Sequence, residues 1–378
     1  MESAPVAISS TSPANAAEDA ATQKLLRIWQ EQLGVDGISP DQNFFDLGGD
    51  SSLAVRMFAE IEKVFGVKLP LATLYDAPTV AELARIVRGE VVGSGWSPLI
   101  AIQPFGSRPP LFCMHGAGGT VLMYRELAQH LGEDQPFFGL QAQGLDGSSA
   151  PITTIEEMAA LYVKEIKKVQ PTGPYFISGY CMGGTVAFEV AQQLSQQGEA
   201  VGMLALFDTM NWHRVPLNLW SKSCYWVQRI FFHAGSFLGL KGEGKKEFVD
   251  GKMEILRSRI PVWQGKLQAR LGKRAEGALS ESLLLAHIWD VNDRASWNYV
   301  AKVFPGVITD IRPAKQYWIF DKPEYKWAGL AQGGQEVVVL PVNPATMLVE
   351  PFVEHLAAAL RRAMDGGMAR VSGSSRRG

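Results

Sequence analysis

The feature that most constrains this chain lies at residues 175–194. There an apolar, strand-like run (175–178) passes through Gly179-Tyr180-Cys181-Met182-Gly183-Gly184 into an amphipathic stretch beginning at Thr185. Small residues two before and two after a nucleophile permit a strained strand-to-helix turn that lifts the nucleophile above a sheet, the pattern G-x-S-x-G when it is serine. Such a turn needs a sheet around it, and the flanking sequence supplies one. Strand-like runs at 111–114, 137–140, 175–178 and 203–207 alternate with helical patterns at 123–130, 155–169 and 183–197. That alternation predicts a mostly parallel α/β sheet. Residues 210–285 break the rhythm with a long Trp-, Phe-, Lys- and Arg-rich insertion, which over an α/β site reads as a helical lid. Strand signals resume at 308–312, 316–320 and 336–340, followed by a helix at 352–364 and a polar, Gly-rich tail.

Within this frame Cys181 is the candidate nucleophile. A thiol at a helix N-terminus is expected to have a lowered pKa and so to be available as thiolate. The plainer alternative is a small buried cysteine in a Gly-rich turn. An oxyanion needs donors, and the backbone N–H of Met182 is one. The second is expected from Ala117, in the Gly-rich loop that ends the run Leu111-Phe112-Cys113-Met114-His115-Gly116-Ala117-Gly118-Gly119. His115 is read as shaping that loop and Cys113 as core. Asp208, at the end of the run Leu204-Ala205-Leu206-Phe207, can orient a histidine, or can simply cap a turn.

Residues before the sheet have another character. Leu25, Ile28, Trp29 and Leu33 recur at helical spacing, a second stripe runs through Leu53, Met57, Ile61, Val64 and Phe65, and Val80, Leu83 and Val87 mark a last short helix. Between the first two lies Phe44-Phe45-Asp46-Leu47-Gly48-Gly49-Asp50-Ser51. Two glycines allow a close, side-chain-free approach, and Ser51 follows at a helix N-terminus, where backbone N–H groups and the dipole favour a phosphate. The same residues could serve only as helix caps. The expected organisation is a flexible linker at 1–18, an all-helical domain at 19–88, a linker at 89–98, an α/β domain at 99–365 with its lid at about 210–285, and a disordered tail at 366–378.

Composition removes several classes. A net charge of −2 gives no licence for nucleic-acid binding, and no run approaches the roughly 18 apolar residues of a membrane span. The first twenty residues carry neither a basic start nor an apolar block, so a cytoplasmic location is the expectation. Three widely separated cysteines fit reduced thiols and lack metal-ligand spacing, so no metal is expected.

The run FFDLGGDS in a small helical domain resembles a peptidyl or acyl carrier domain. The resemblance implies a small four-helix carrier in which Ser51 bears a 4′-phosphopantetheine arm installed by a phosphopantetheinyl transferase. HGAGG, GYCMGG and LFDT resemble the thioesterase domains that end non-ribosomal peptide and polyketide synthetases, α/β hydrolases with a helical lid. This second resemblance implies a peptidyl thioester substrate, upstream synthetase domains as partners, and carrier-to-thioesterase docking within the chain. In that family the triad histidine lies in a run like G-x-H-x-x-M-L-x-E-P, whereas this chain reads Val342-Asn343-Pro344-Ala345-Thr346-Met347-Leu348-Val349-Glu350-Pro351, with Pro344 at the histidine position. His213, five residues past Asp208, is the first candidate to replace it, and His287, where the chain returns from the lid, is the second.

Cysteine in place of serine bears on the reaction. Moving an acyl chain onto Cys181 exchanges one thioester for another, so activation is kept for a poor nucleophile or a strained ring. The cysteine elbow with its altered histidine position resembles the cysteine-type release domains associated with four-membered rings, in β-lactone and monobactam-type β-lactam synthetases. Cyclising release, with the β-lactam slightly preferred, is therefore the leading expectation. Hydrolytic or macrocyclising release and a catalytically inactive docking module are the alternatives. Charge adds a regional asymmetry: residues 1–92 sum to −6 and residues 214–280 to +8, which favours docking of an acidic carrier on a basic lid.

Overall fold

The computed structural model describes residues 13–49, 51–71, 73–91, 96–215, 278–314, 326–342 and 346–374. The main boundary between its two compact units falls between Trp96 and Ser97.

The first unit contains helices α1 (Pro13–Leu33), α2 (Ser51–Phe65), α3 (Thr73–Asp76) and α4 (Val80–Val87). Leu25, Ile28 and Trp29 of α1, Ala54, Met57, Phe58 and Ile61 of α2, and Val80 and Leu83 of α4 are buried, with α1 packed against both α2 and α4. The inward stripe of α2 thus runs through positions 54, 57, 58 and 61. Val64, expected on that stripe, is 40% exposed, because the helical repeat carries position 64 to the edge of the face formed by 54, 57, 58 and 61. Trp29 meets the ring of Phe44 edge-on at 5.4 Å, which anchors the loop between α1 and α2 to the core. Thr79 starts α4 with a reciprocal cap: its hydroxyl accepts from the Glu82 N–H, and the Glu82 carboxylate accepts from its own N–H. Residues 13–18, expected in a flexible lead-in, belong to α1. Proline is well suited to a first helical turn, and the alanine-rich residues that follow favour helix.

The second unit is built on a seven-stranded mixed sheet in the order β1-β3-β2-β4-β5-β6-β7. Its strands are β1 (Leu99–Gln103), β2 (Leu111–Met114), β3 (Phe137–Leu140), β4 (Tyr175–Tyr180), β5 (Val201–Phe207), β6 (Ile308–Pro313) and β7 (Gln335–Leu340). β1 pairs antiparallel with β3, and all other pairs are parallel. The sequence reading missed β1, whose half-buried LIAIQ pattern comes directly after the linker. Central strands β2 and β3 are fully buried, as a sheet covered on both faces requires.

Helices α5 (Arg125–Leu131), α6 (Ile155–Val169), α7 (Met182–Gln196), α8 (Ala278–Asn298) and α9 (Val353–Ser374) accompany the sheet. Nearly all of α7 is buried, through Val186, Ala187, Phe188, Val190, Ala191 and Leu194. α9 runs to Ser374, well past the point where a disordered tail was expected. The physical reason is a continued packed stripe: Leu356, Leu360 and Met364 are buried, and a Cβ placed on Gly367 would stand 2.4 Å from the carbonyl oxygen of Gly202 in β5. Gly367, in a Gly-rich stretch that was expected to be disordered, allows that close crossing. The expected strand at 316–320, Pro344 and most of the expected lid, residues 216–277, lie outside the described residues.

Candidate active site

Cys181 stands between β4 and α7 with φ 54° and ψ −121°, a conformation that few non-glycine residues adopt. The surroundings enforce it. The Cys181 N–H donates to the Phe207 carbonyl at 3.0 Å, and the Gly184 N–H donates to the Cys181 carbonyl at 3.1 Å. The glycines are required by contact. A methyl group on Gly179 would come within 2.2 Å of the Gly183 carbonyl oxygen, and one on Gly184 within 2.0 Å of Thr209 Oγ1. A methyl group on Gly183 would meet the carbonyl oxygens of Met114 and His115 at 2.4 and 2.5 Å. The start of α7 is therefore pressed onto the end of β2. Gly183→Ala is expected to cost about 3 kcal/mol, at the upper end of overpacking effects because rigid backbone oxygens are the obstacle. Thermal denaturation checks this, and an unchanged melting temperature would refute the close approach.

Pressing α7 onto β2 brings the Gly-rich loop to the nucleophile. Ala117 is buried in that loop, and its carbonyl accepts a hydrogen bond from Asn292 Nδ2 at 2.9 Å, which fixes the peptide. The Met182 N–H donates toward the Cys181 sulfur. His115 is fully buried, with Nδ1 2.6 Å from the Gly116 carbonyl oxygen and Nε2 2.8 Å from the Tyr162 hydroxyl. A carbonyl only accepts, so Nδ1 carries the proton. Burial pulls the pKa of the ring down to about 4, so His115 is a neutral brace of the loop.

Asp208 ends β5 at φ 48°, its N–H bonded to the Ile311 carbonyl at 2.9 Å. Its negative charge acts on both Tyr180 and Cys181. Cys181 was expected to have a lowered pKa, but the thiol is pushed up to about 12. Burial is the largest cause and the Asp208 carboxylate the next; the Met182 N–H opposes them, and the Asp293 carboxylate adds to the rise. The helix terminus is outweighed by burial together with the negative charges of Asp208 and Asp293.

Cys181, Met182, Ala117 and Asp208 thus lie together at the carboxyl ends of β2, β4 and β5, where ligands bind in open α/β sheets. His213 is exposed on the 3-10 turn Trp212–Arg214, and His287 is exposed on α8. Neither is hydrogen-bonded to Cys181 among the described residues. His130 pairs with Glu350 at 2.6 Å, and His355 lies in α9. The sequence reading passed over Asn292, Asp293 and Trp289. Their signal was a group of polar and aromatic residues at one-, three- and four-residue spacing on a single helix.

In the first unit α2 begins at Ser51 after Gly48 at φ 86° and Gly49. A Cβ on Gly49 would stand 2.4 Å from Phe44 Cε1, so only glycine fits there. The N-terminus of a fifteen-residue helix, with its backbone N–H groups and dipole, fits a phosphodiester-linked arm.

Comparison with known proteins agrees with this division. A phosphopantetheine attachment site model matches residues 23–87, and a thioesterase domain model matches residues 109–217. The chain is 43% identical over 187 residues to malpinin synthetase of Mortierella alpina, covering 49% of this chain and 2% of that protein. It is 39% identical over 193 residues to a dimodular nonribosomal peptide synthase of Bacillus subtilis, covering 51% and 8%. With an indigoidine synthase of Dickeya dadantii it shares 42% over 186 residues, covering 48% and 12%. The matched region therefore spans only a small part of these relatives. Among solved structures, a holo four-domain nonribosomal peptide synthetase bound to AMP and glycine shares the fold at a TM-score of 0.55 and 24% identity, covering 96% of this chain and 27% of that one. The NocB thioesterase domain shares it at 0.50 and 21%, covering 70% and 99%. The chain joins a carrier domain for 4′-phosphopantetheine to a thioesterase domain of α/β fold, an order that matches the carrier–thioesterase didomains of nonribosomal peptide synthetases.

Proposed function

We propose that this chain releases a peptidyl group from a synthetase by transfer to Cys181 followed by intramolecular ring closure, to a four-membered β-lactam or, second, a β-lactone. The observation that carries the reading is a cysteine at the strained apex between β4 and α7, with Met182 and Ala117 beside it. Ser51 would hold the arm, whose terminal thiol carries the peptidyl group as a thioester. Phosphopantetheinyl transferase and upstream synthetase domains are the partners this requires.

The Cys181 sulfur attacks the thioester carbonyl, and the developing oxyanion is met by the N–H groups of Met182 and Ala117. Because the thiol is held protonated at neutral pH, a base must take its proton as the bond forms. His213 is proposed for that role, oriented by Asp208, with His287 second. The C–S bond to the arm then breaks, the departing sulfur takes the proton from the base and leaves as the arm's free thiol, and the acyl group sits on the Cys181 sulfur, still activated, until a nucleophile of the same chain closes the ring. Hydrolysis and macrocyclisation share these first steps and differ only in the acceptor.

The test is to present the full chain with a peptidyl thioester and weigh what is released. Ring closure gives a product one water lighter than the free acid, hydrolysis gives the acid, and an inactive docking module gives neither. His213→Ala is expected to slow release about 100-fold, in the range of general base catalysis, and His287→Ala to change it little. The reverse order would move the base to His287.

A further inference from the structure

On the reading of Cys181 as the acylated nucleophile, we infer that Asp293 is a second carboxylate of the reaction centre. It takes the proton of the group that attacks the acyl-Cys181 and returns it to the departing sulfur.

Helix α8 meets the Gly-rich loop along one face. Ile288 is fully buried, and its Cγ2 lies 3.0 Å from where a Cβ on Gly119 would stand. The Trp289 ring lies 3.5 Å from the corresponding point on Gly118. Asn292, 1% exposed, donates to the Ala117 carbonyl. Three contacts from one face of one helix fall on three successive residues of the loop that borders Cys181. Asp293 is the next residue after Asn292 on that helix, and Trp289, one turn earlier, donates its indole N–H to Asp293 Oδ2 at 3.0 Å. A carboxylate whose Oδ2 accepts from the indole N–H has Oδ1 left for a proton. Its charge is felt at the Cys181 thiol, and its own carboxyl is raised from its ordinary value, chiefly by burial, with Asp290 contributing in the same direction.

These properties suit a step that the thiol makes difficult. A sulfur with a pKa of about 12 is a poor leaving group as a bare thiolate, so a proton delivered as the C–S bond breaks lowers the barrier. In the closing step a hydroxyl or N–H group of the acyl chain attacks the thioester carbonyl, and its proton passes to the Asp293 carboxylate. The tetrahedral centre then collapses, the C–S bond breaks with its electron pair on sulfur, and sulfur takes the proton from Asp293. Thiol and carboxylate are both restored, and no other reactant is consumed.

The experiment uses the full chain with a β-hydroxyacyl N-acetylcysteamine thioester and tracks the Cys181 adduct by intact-protein mass spectrometry. Asp293→Asn is expected to accumulate the adduct, with breakdown about 100-fold slower, and Asp293→Glu to recover most of the loss. Removing the charge should also speed iodoacetamide labelling of the Cys181 peptide about threefold or more, an effect that a purely structural role would not produce. Should Asp293→Asn fail to fold, Trp289→Phe keeps the ring against Gly118 but removes the N–H, and about tenfold slower breakdown is expected. Adduct breakdown at the parent rate in Asp293→Asn, or unchanged labelling, overturns the inference. Release of product with no Cys181 adduct in either the parent or Asp293→Asn overturns the nucleophile reading instead, and the inference with it.

Discussion

Cys181→Ala folds like the parent and leaves the acyl chain on its thioester, with release slowed about 1,000-fold or more. Folding is spared because alanine meets the positive φ of 54° with the same Cβ that cysteine brings, and the glycines at 179, 183 and 184 that shape the turn are untouched. The loss is chemical. No other described side chain stands at the apex of the turn beside the Met182 N–H and the buried Ala117 peptide, and Cys113, the second described thiol, is fully buried in β2. Burial pushes the Cys113 thiol up to about 12 as well, so it offers no alternative nucleophile. Stopped-flow release from a soluble thioester, together with a melting curve, checks both halves of the prediction. Release at the parent rate with an unchanged melt would remove Cys181 from the mechanism and leave the elbow as packing.

Ser51→Ala is expected to abolish attachment of the arm altogether, because only a hydroxyl can supply the bridging oxygen of a phosphodiester. Alanine is also a good helix former, so α2 should still begin at residue 51 and the core around Trp29, Met57 and Ile61 should persist. Incubation with a phosphopantetheinyl transferase and coenzyme A, then intact-mass measurement, gives a simple readout. The parent and Ser52→Ala gain one arm, and Ser51→Ala gains none. If Ser52→Ala is the variant that stays unmodified, the attachment point lies one residue further on. Ser51→Ala should also still turn over a free N-acetylcysteamine thioester, since the thioesterase chemistry depends on Cys181.

Much of this arrangement was legible beforehand because it rests on short-range rules. The strand-to-helix turn at Cys181 is written in three glycines, and the structure shows each of them pressed against backbone or a neighbouring side chain where a Cβ cannot fit. Parallel strands β2 to β5 could be read because fully buried strands form short apolar runs between turn signals. β1 escaped notice because its half-buried residues lack such contrast, and its pairing with β3 is a long-range event. The end of α9 was misjudged for a related reason. A Gly-rich run after Asp365 reads as a disordered tail until β5 is seen passing against the backbone of Gly367.

Electrostatics was where local reading failed. From the sequence, Cys181 is a thiol at the start of a helix, and that position alone lowers a pKa. Only the fold could add what opposes it: burial between β4 and α7, Asp208 brought alongside by the register of β5, and Asp293 from a helix more than a hundred residues away in the chain. The sequence by itself determined the two kinds of domain, the serine and cysteine at their helix starts, and the bare backbone that lets each be approached, because these depend on the sterics of adjacent residues. The tertiary structure decided the protonation of the thiol and the residues that surround it, because desolvation and Coulomb forces act through space between segments that the chain order keeps far apart.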